Sequence, residues 1–172
     1  MLNKDIILFV KELIEKYGQL SPEDKITIMG GAASYIWIKN KLDQEIFIKD
    51  VDIHINTKNT CKDVVDLFVD LLPGYTITNE DREIITFGDP VGNNISFDIF
   101  VNQMPDIKHS FIDTLPVELL SELILSYKNE YEGLQQDMIY LQDPNNQEYI
   151  YIKDKAERVK ERLSLLSQIQ SI

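Results

Sequence analysis

The chain holds one cysteine, Cys61, in 172 residues, so no intrachain disulfide can staple its fold. No run of about 18 apolar residues occurs, and no charged-then-apolar leader opens the chain, so no membrane association and a cytoplasmic, intracellular location are expected. Glycine and proline are sparse, at 7 and 6 residues, and they form no linker, repeat or low-complexity tract. One domain over residues 1–172 is the expected organisation. Basic residues are also scarce: 17 Lys and Arg stand against 29 Asp and Glu, a net charge of −12. That field repels phosphate backbones, so long nucleic acid lacks its usual driving term as a partner.

What remains is the composition of a folded protein, 44% hydrophobic and 27% charged. Ile6, Ile7, Phe9, Val10, Leu13, Ile14 and Tyr17 recur at helical spacing, closed by Gly18 and Pro22. "KITIM" (Lys25 to Met29) predicts a short strand, Gly30-Gly31 a turn, and "AASYIWIKNKL" a helix. A second strand is expected from about Ile46 to Asn56, then a helix in "CKDVVDLFVDLL" capped by Thr60 and ended by Pro73-Gly74. Extended pieces follow at "YTIT", "REIITF" and "NISFDIFV", the last two joined as a hairpin by the turn formers of "GDPVGNN". From Leu115 the pattern reads as helix, with Pro116 in its first turn, and "IKDKAERVKERLSLLSQI" predicts a final helix. The expected fold class is α/β (α+β): a mixed sheet of about five strands covered by helices, with its core near 24–102 and a helical extension over 113–172.

Three aspartates break this apolar scheme. Alternation along "FIKDVDIHINT" puts Asp50, Asp52, His54 and Asn56 on one face and Val51, Ile53 and Ile55 on the other. In "NISFDIFVN", Asp98 lies opposite the face made by Ile95, Phe97, Ile99 and Val101. Carboxylates about 7 Å apart on a strand repel one another, so a compensating cation is expected. Mg²⁺ suits such a site, being held by few carboxylates and completed by water and the phosphates of a nucleoside triphosphate. Gly30-Gly31, between a strand and a helix, supplies the free N–H groups and the positive helix end that phosphate needs. Each signal alone has an ordinary structural explanation, a tight turn or a solvated strand; their order along one chain points to a metal–phosphate site.

"IMGGAASYIWI", "KDVDIHI" and "ISFDIF" resemble, in order, the glycine motif, the paired-aspartate motif and the third-aspartate motif of the DNA polymerase β-like nucleotidyltransferase superfamily. The "GGAA" form and the long gap from Gly31 to Asp50 look most like the branch of AbiEii-type toxins and minimal nucleotidyltransferases. The resemblance implies that Asp50, Asp52 and Asp98 are catalytic and bind Mg²⁺, with Mn²⁺ as a substitute. It implies that Gly30, Gly31, Ser34, Lys49 and Lys128 contact the nucleotide, with Lys153 as an alternative to Lys128. It implies transfer of a nucleoside monophosphate from an NTP such as ATP to a hydroxyl of a protein, a small molecule or an RNA end. Ala32 and Lys49 depart from it, since many relatives carry Ser or Thr at those places.

Two other readings compete. A degenerate relative would serve as a binding module with a protein partner, because 172 residues leave little room for an acceptor domain. Incidental Ca²⁺ binding ranks last, since calcium ligands come mostly from loops. His54 faces the aspartates, although a lone strand histidine is more often hydrogen-bonded structure. Trp37 reads as core, and Lys153, Lys155, Arg158, Lys160 and Arg162 read as a solvated, salt-bridged helix face.

Overall fold

The computed structural model describes residues 2–81, 83–89 and 95–172. Its elements run α1 (Asn3–Leu20), β1 (Lys25–Met29), α2 (Gly30–Leu42), β2 (Asp50–Asn56), α3 (Cys61–Leu71), β3 (Thr76–Asp81) and β4 (Ile84–Gly88). Then come β5 (Ser96–Val101), β6 (His109–Ile112), β7 (Leu115–Glu118), α4 (Leu120–Leu141) and α5 (Gln147–Gln170). The strands form one mixed sheet in the order β3-β4-β5-β2-β1-β7-β6. The β2/β5 and β1/β7 pairs are parallel and the others antiparallel.

The sheet thus has seven strands where about five are expected, and the two extra ones are β6 and β7. They lie where Leu115 and Pro116 read as the start of a helix. The chain instead reverses between Ile112 and Leu115 through Asp113 and Thr114, both at positive φ (48° and 69°). A two-residue hairpin with φ > 0 at both positions normally advertises itself as Asn-Gly or Asp-Gly, and Asp-Thr hides it. Pro116 gives β7 no donor, in keeping with the single registered pair, Ile28↔Val117, that joins β7 to β1.

β2 is shorter than predicted, beginning at Asp50 rather than Ile46. Its neighbours explain the boundary: β1 reaches only to Met29↔Asp52, and β5 starts at Ser96↔Asp50, so residues 46–49 have no ladder to join. The predicted β4–β5 hairpin is present, pairing Ile85 with Ile99 and Phe87 with Phe97. Of its connecting loop, residues 90–94 lie outside the described residues, as does Arg82 at the head of "REIITF". The glycine turn is part of α2, which starts at Gly30 itself.

The chain divides into two compact units, one comprising the residues through Ile36 with Phe47–Glu118, the other Trp37–Ile46 with Leu119–Ile172. In the first, one sheet face is dry: Ile28, Ile53, Ile55, Ile85, Phe97, Ile99 and Val117 are all buried. α1 and α3 cover it through Phe9 on Phe97 (5.7 Å), Phe68 on Phe87 (6.2 Å) and Tyr17 stacked on Phe68 (5.0 Å). The other face carries Thr27, Asp52, His54 and Asp98 together with Met29, Ile84 and Phe100. In the second unit α4 packs along α5, and Lys155 pairs with Glu130 across the two at 3.2 Å.

α3 carries a full capping box: Thr60 Oγ1 accepts the Asp63 N–H, and Asp63 returns the bond to the Thr60 N–H, both at 3.2 Å. Thr60→Ala is expected to lower stability by about 1 kcal/mol, measured as a lower urea midpoint at unchanged m-value.

Candidate active site

The polar face owes its chemistry to register. Met29 of β1 pairs with Asp52 of β2, Asp52 with Asp98 of β5, and Asp98 with Thr86 of β4. On the far side, Ile28↔Val117 places Glu118, the last residue of β7, alongside Met29. A transverse row Glu118–Met29–Asp52–Asp98–Thr86 therefore crosses five adjacent strands, spaced about 4.8 Å apart. Asp50 stands two residues earlier on the same face of β2, opposite Ser96. The three aspartates read from the motifs share one surface, and Asp52 and Asp98 are direct cross-strand neighbours.

Gly30 closes the site from above. Its φ is +60°, in the left-handed region that favours glycine, and a Cβ there would lie 2.6 Å from Asp52 Oδ2. Its N–H donates to Glu118 Oε2 at 3.4 Å, and its carbonyl accepts the Ser34 hydroxyl at 2.9 Å. Ser34 is fully buried, so this bond fixes the first turn of α2 from inside. Gly31 follows in the same turn, half-buried.

Asp52 carries the electrostatic cost of this crowding. Burial, then the negative charges of Asp50 and Asp98, a hydrogen bond with Asp98 and the charge of Glu118 push its carboxyl up to about 7. Asp98 is steadied from the other side, since Thr86 Oγ1 donates to its Oδ1 at 2.6 Å. Thr86→Val keeps the β-branched strand shape and removes that donor. It is expected to lower stability by about 1 kcal/mol, read as a small drop in melting temperature.

Among the described residues no group of three or more His, Cys, Asp or Glu side chains is placed to hold a metal ion. The carboxylates of Asp50, Asp52 and Asp98 form an open row of hard oxygens instead, with the Asp52 carboxyl pushed up to about 7 by burial and by its neighbours' charge. Such a set fits Mg²⁺, which is bound through one or two carboxylates plus substrate phosphates rather than by an all-protein cage.

The other candidates are placed as follows. His54 shares the aspartates' face but is fully buried, and its Nε2 accepts the Met104 N–H at 2.9 Å, which anchors the segment after β5. Burial, then the Lys25 charge, hold its imidazole below the usual range. Lys49 is exposed just before β2. Lys128 and Lys153 are exposed on α4 and α5 of the second unit, where Trp37 is half-buried. Glu118 and Thr86 are the residues that sequence reasoning missed. Alternation in "EIITFG" would have put Thr86 opposite Ile85 and Phe87, whereas Glu118 sits in a stretch that reads as helix.

No family model matches the chain, and no curated protein matches it. Among solved structures it is similar to the crystal structure of the Megavirus polyadenylate synthase, with a TM-score of 0.55 and 16% identity over 98% of this chain and 31% of that one. It also matches Cid1, studied for its RNA terminal uridylyl transferase activity, with a TM-score of 0.44 and 13% identity over 81% of this chain and 38% of that one. The chain spans about a third of the length of these structures. The likeness to the polyadenylate synthase is one of fold, a mixed sheet with helices, in keeping with the mixed α+β class expected from the sequence.

Proposed function

We propose that the chain is a Mg²⁺-dependent nucleotidyltransferase that moves a nucleoside monophosphate from an NTP to a hydroxyl acceptor. The observation that carries this reading is the cross-strand pair Asp52 and Asp98, with Asp52 directly against the positive-φ Gly30 at the start of α2. A carboxylate pair under a glycine turn at a helix N-terminus is what binding a metal-complexed triphosphate requires. The polyadenylate synthase fold supports the same reading without deciding the acceptor.

Mg²⁺, bound at the row, would draw charge from the phosphates and ease pyrophosphate departure. The protein's own part is positional. Asp50 and Asp52 would hold the metal, and the Gly30 turn receives phosphate oxygens. Asp98, steadied at Oδ1 by Thr86, takes the proton of the acceptor hydroxyl. The acceptor oxygen then bonds to the α-phosphorus as its bond to the bridging oxygen breaks, and pyrophosphate leaves. With a net charge of −12, a short RNA end, a protein or a small molecule suits the acceptor better than a long nucleic acid. The "GGAA" form supports placing the chain in the minimal, AbiEii-like branch.

Incubation with each α-³²P-labelled NTP, Mg²⁺ or Mn²⁺ and total RNA or cell lysate tests the proposal. Label is expected in an acceptor with the wild type and absent with Asp50→Ala/Asp52→Ala. No transfer, together with metal-dependent NTP binding that persists, would favour the binding-module reading. Absence of both would remove the site altogether.

A further inference from the structure

Glu118 belongs to none of the three motifs, yet the hairpin through Asp113 and Thr114 delivers it to one end of the row, beside Gly30. Its Oε2 accepts the Gly30 N–H at 3.4 Å, beyond the usual limit of about 3.2 Å for a well-made N–H···O bond. That N–H is the donor a phosphate oxygen would take at the start of α2. Glu118 thus holds the anion's place on the glycine turn through a long contact that a better-placed acceptor displaces. Its charge also acts on Asp52, alongside those of Asp50 and Asp98. A bare triphosphate meets a row of acidic side chains of its own sign, whereas one complexed with a divalent cation presents the charge that the row attracts.

We propose that Glu118 is a specificity-determining residue that admits the metal-complexed triphosphate and excludes the metal-free one. The inference rests on reading this site as a triphosphate site. It assigns Glu118 no bond to the metal: its part is to occupy the Gly30 N–H until a phosphate oxygen replaces it, and to make that replacement unfavourable when no cation accompanies the phosphate.

Equilibrium binding of each of the four labelled NTPs, in Mg²⁺ and in EDTA, tests this without any need for turnover. Glu118→Gln keeps an oxygen acceptor for the Gly30 N–H and removes the charge, and Glu118→Ala removes both. In EDTA, both variants are expected to bind the preferred NTP about tenfold or more tighter than wild type does, while affinities in Mg²⁺ stay within about threefold of wild type. Variants that melt like wild type but keep its Mg²⁺-to-EDTA affinity ratio would overturn the role of Glu118 and leave the site reading standing. A wild type that binds no NTP in Mg²⁺ would overturn the site reading, and this inference with it.

Discussion

Asp52→Asn raises the melting temperature of the metal-free protein at pH 8 and leaves it unchanged at pH 4; that is the expected result if the carboxylate row lacks its cation. The sign follows from the raised Asp52 carboxyl, at about 7 in the folded protein against an ordinary value near 4 in the unfolded chain. Below about pH 4 both states are protonated and Asp52 costs nothing. Between about pH 4 and 7 the unfolded chain gives up the proton that the fold retains, so stability falls as pH rises, and above about 7 the full penalty is present. The distance between those two values sets a ceiling of about 4 kcal/mol. Partial exposure and salt reduce it to about 1–3 kcal/mol, or several degrees for a chain of this length. Asparagine mimics the protonated carboxyl and can still donate to Asp98. Added Mg²⁺ should raise the wild-type melting temperature and fail to raise that of the variant. A variant that melts lower at pH 8 would show Asp52 to be a satisfied structural carboxylate.

Gly30→Ala should have the opposite sign and the larger effect on activity. The left-handed backbone costs a non-glycine residue about 1–2 kcal/mol. The new methyl would also lie 2.6 Å from Asp52 Oδ2, closer than a real Cβ tolerates, so the carboxylate must swing out of the row. A displacement of about 1 Å at reacting groups costs on the order of a hundredfold in rate, and nucleotidyl transfer is expected to fall at least that far, with a stability loss of about 1–3 kcal/mol. Gly18→Ala serves as the comparison. It lies within α1 with nothing within 4 Å of its would-be Cβ, and it should stabilise the protein by about 1 kcal/mol. Urea titrations of both variants, beside label-transfer rates, check the pair of signs. Wild-type activity in Gly30→Ala would mean that the glycine turn does not shape the site.

Local rules made much of this visible in the sequence. The 3.6-residue spacing in α1 and the Thr60 cap of α3 are short-range patterns, as is the alternation that set Asp50 and Asp52 against Val51 and Ile53. Long-range partners were not visible. That Asp98 is the cross-strand neighbour of Asp52 depends on a parallel β2/β5 pairing formed across α3, β3 and β4, which no local pattern specifies. The start of β2 depended in the same way on where β1 and β5 end. Glu118 was concealed twice, by the Asp113-Thr114 turn and by Pro116, which reads as a helix start but sits in a four-residue strand. Ser34, a nucleotide contact by the motif resemblance, donates its hydroxyl to the Gly30 carbonyl in the structure.

The central claim is that the row of carboxylates beneath Gly30 is where metal and triphosphate meet. Crystals soaked with Mn²⁺ and a nonhydrolysable NTP test it most directly through the anomalous signal of manganese. The account predicts a peak at coordination distance, about 2.1–2.2 Å, from Asp52 and Asp98 oxygens, with a phosphate oxygen on the Gly30 N–H and Glu118 moved off it. Triphosphate bound elsewhere, or a row that stays empty of manganese at saturating NTP, would contradict it.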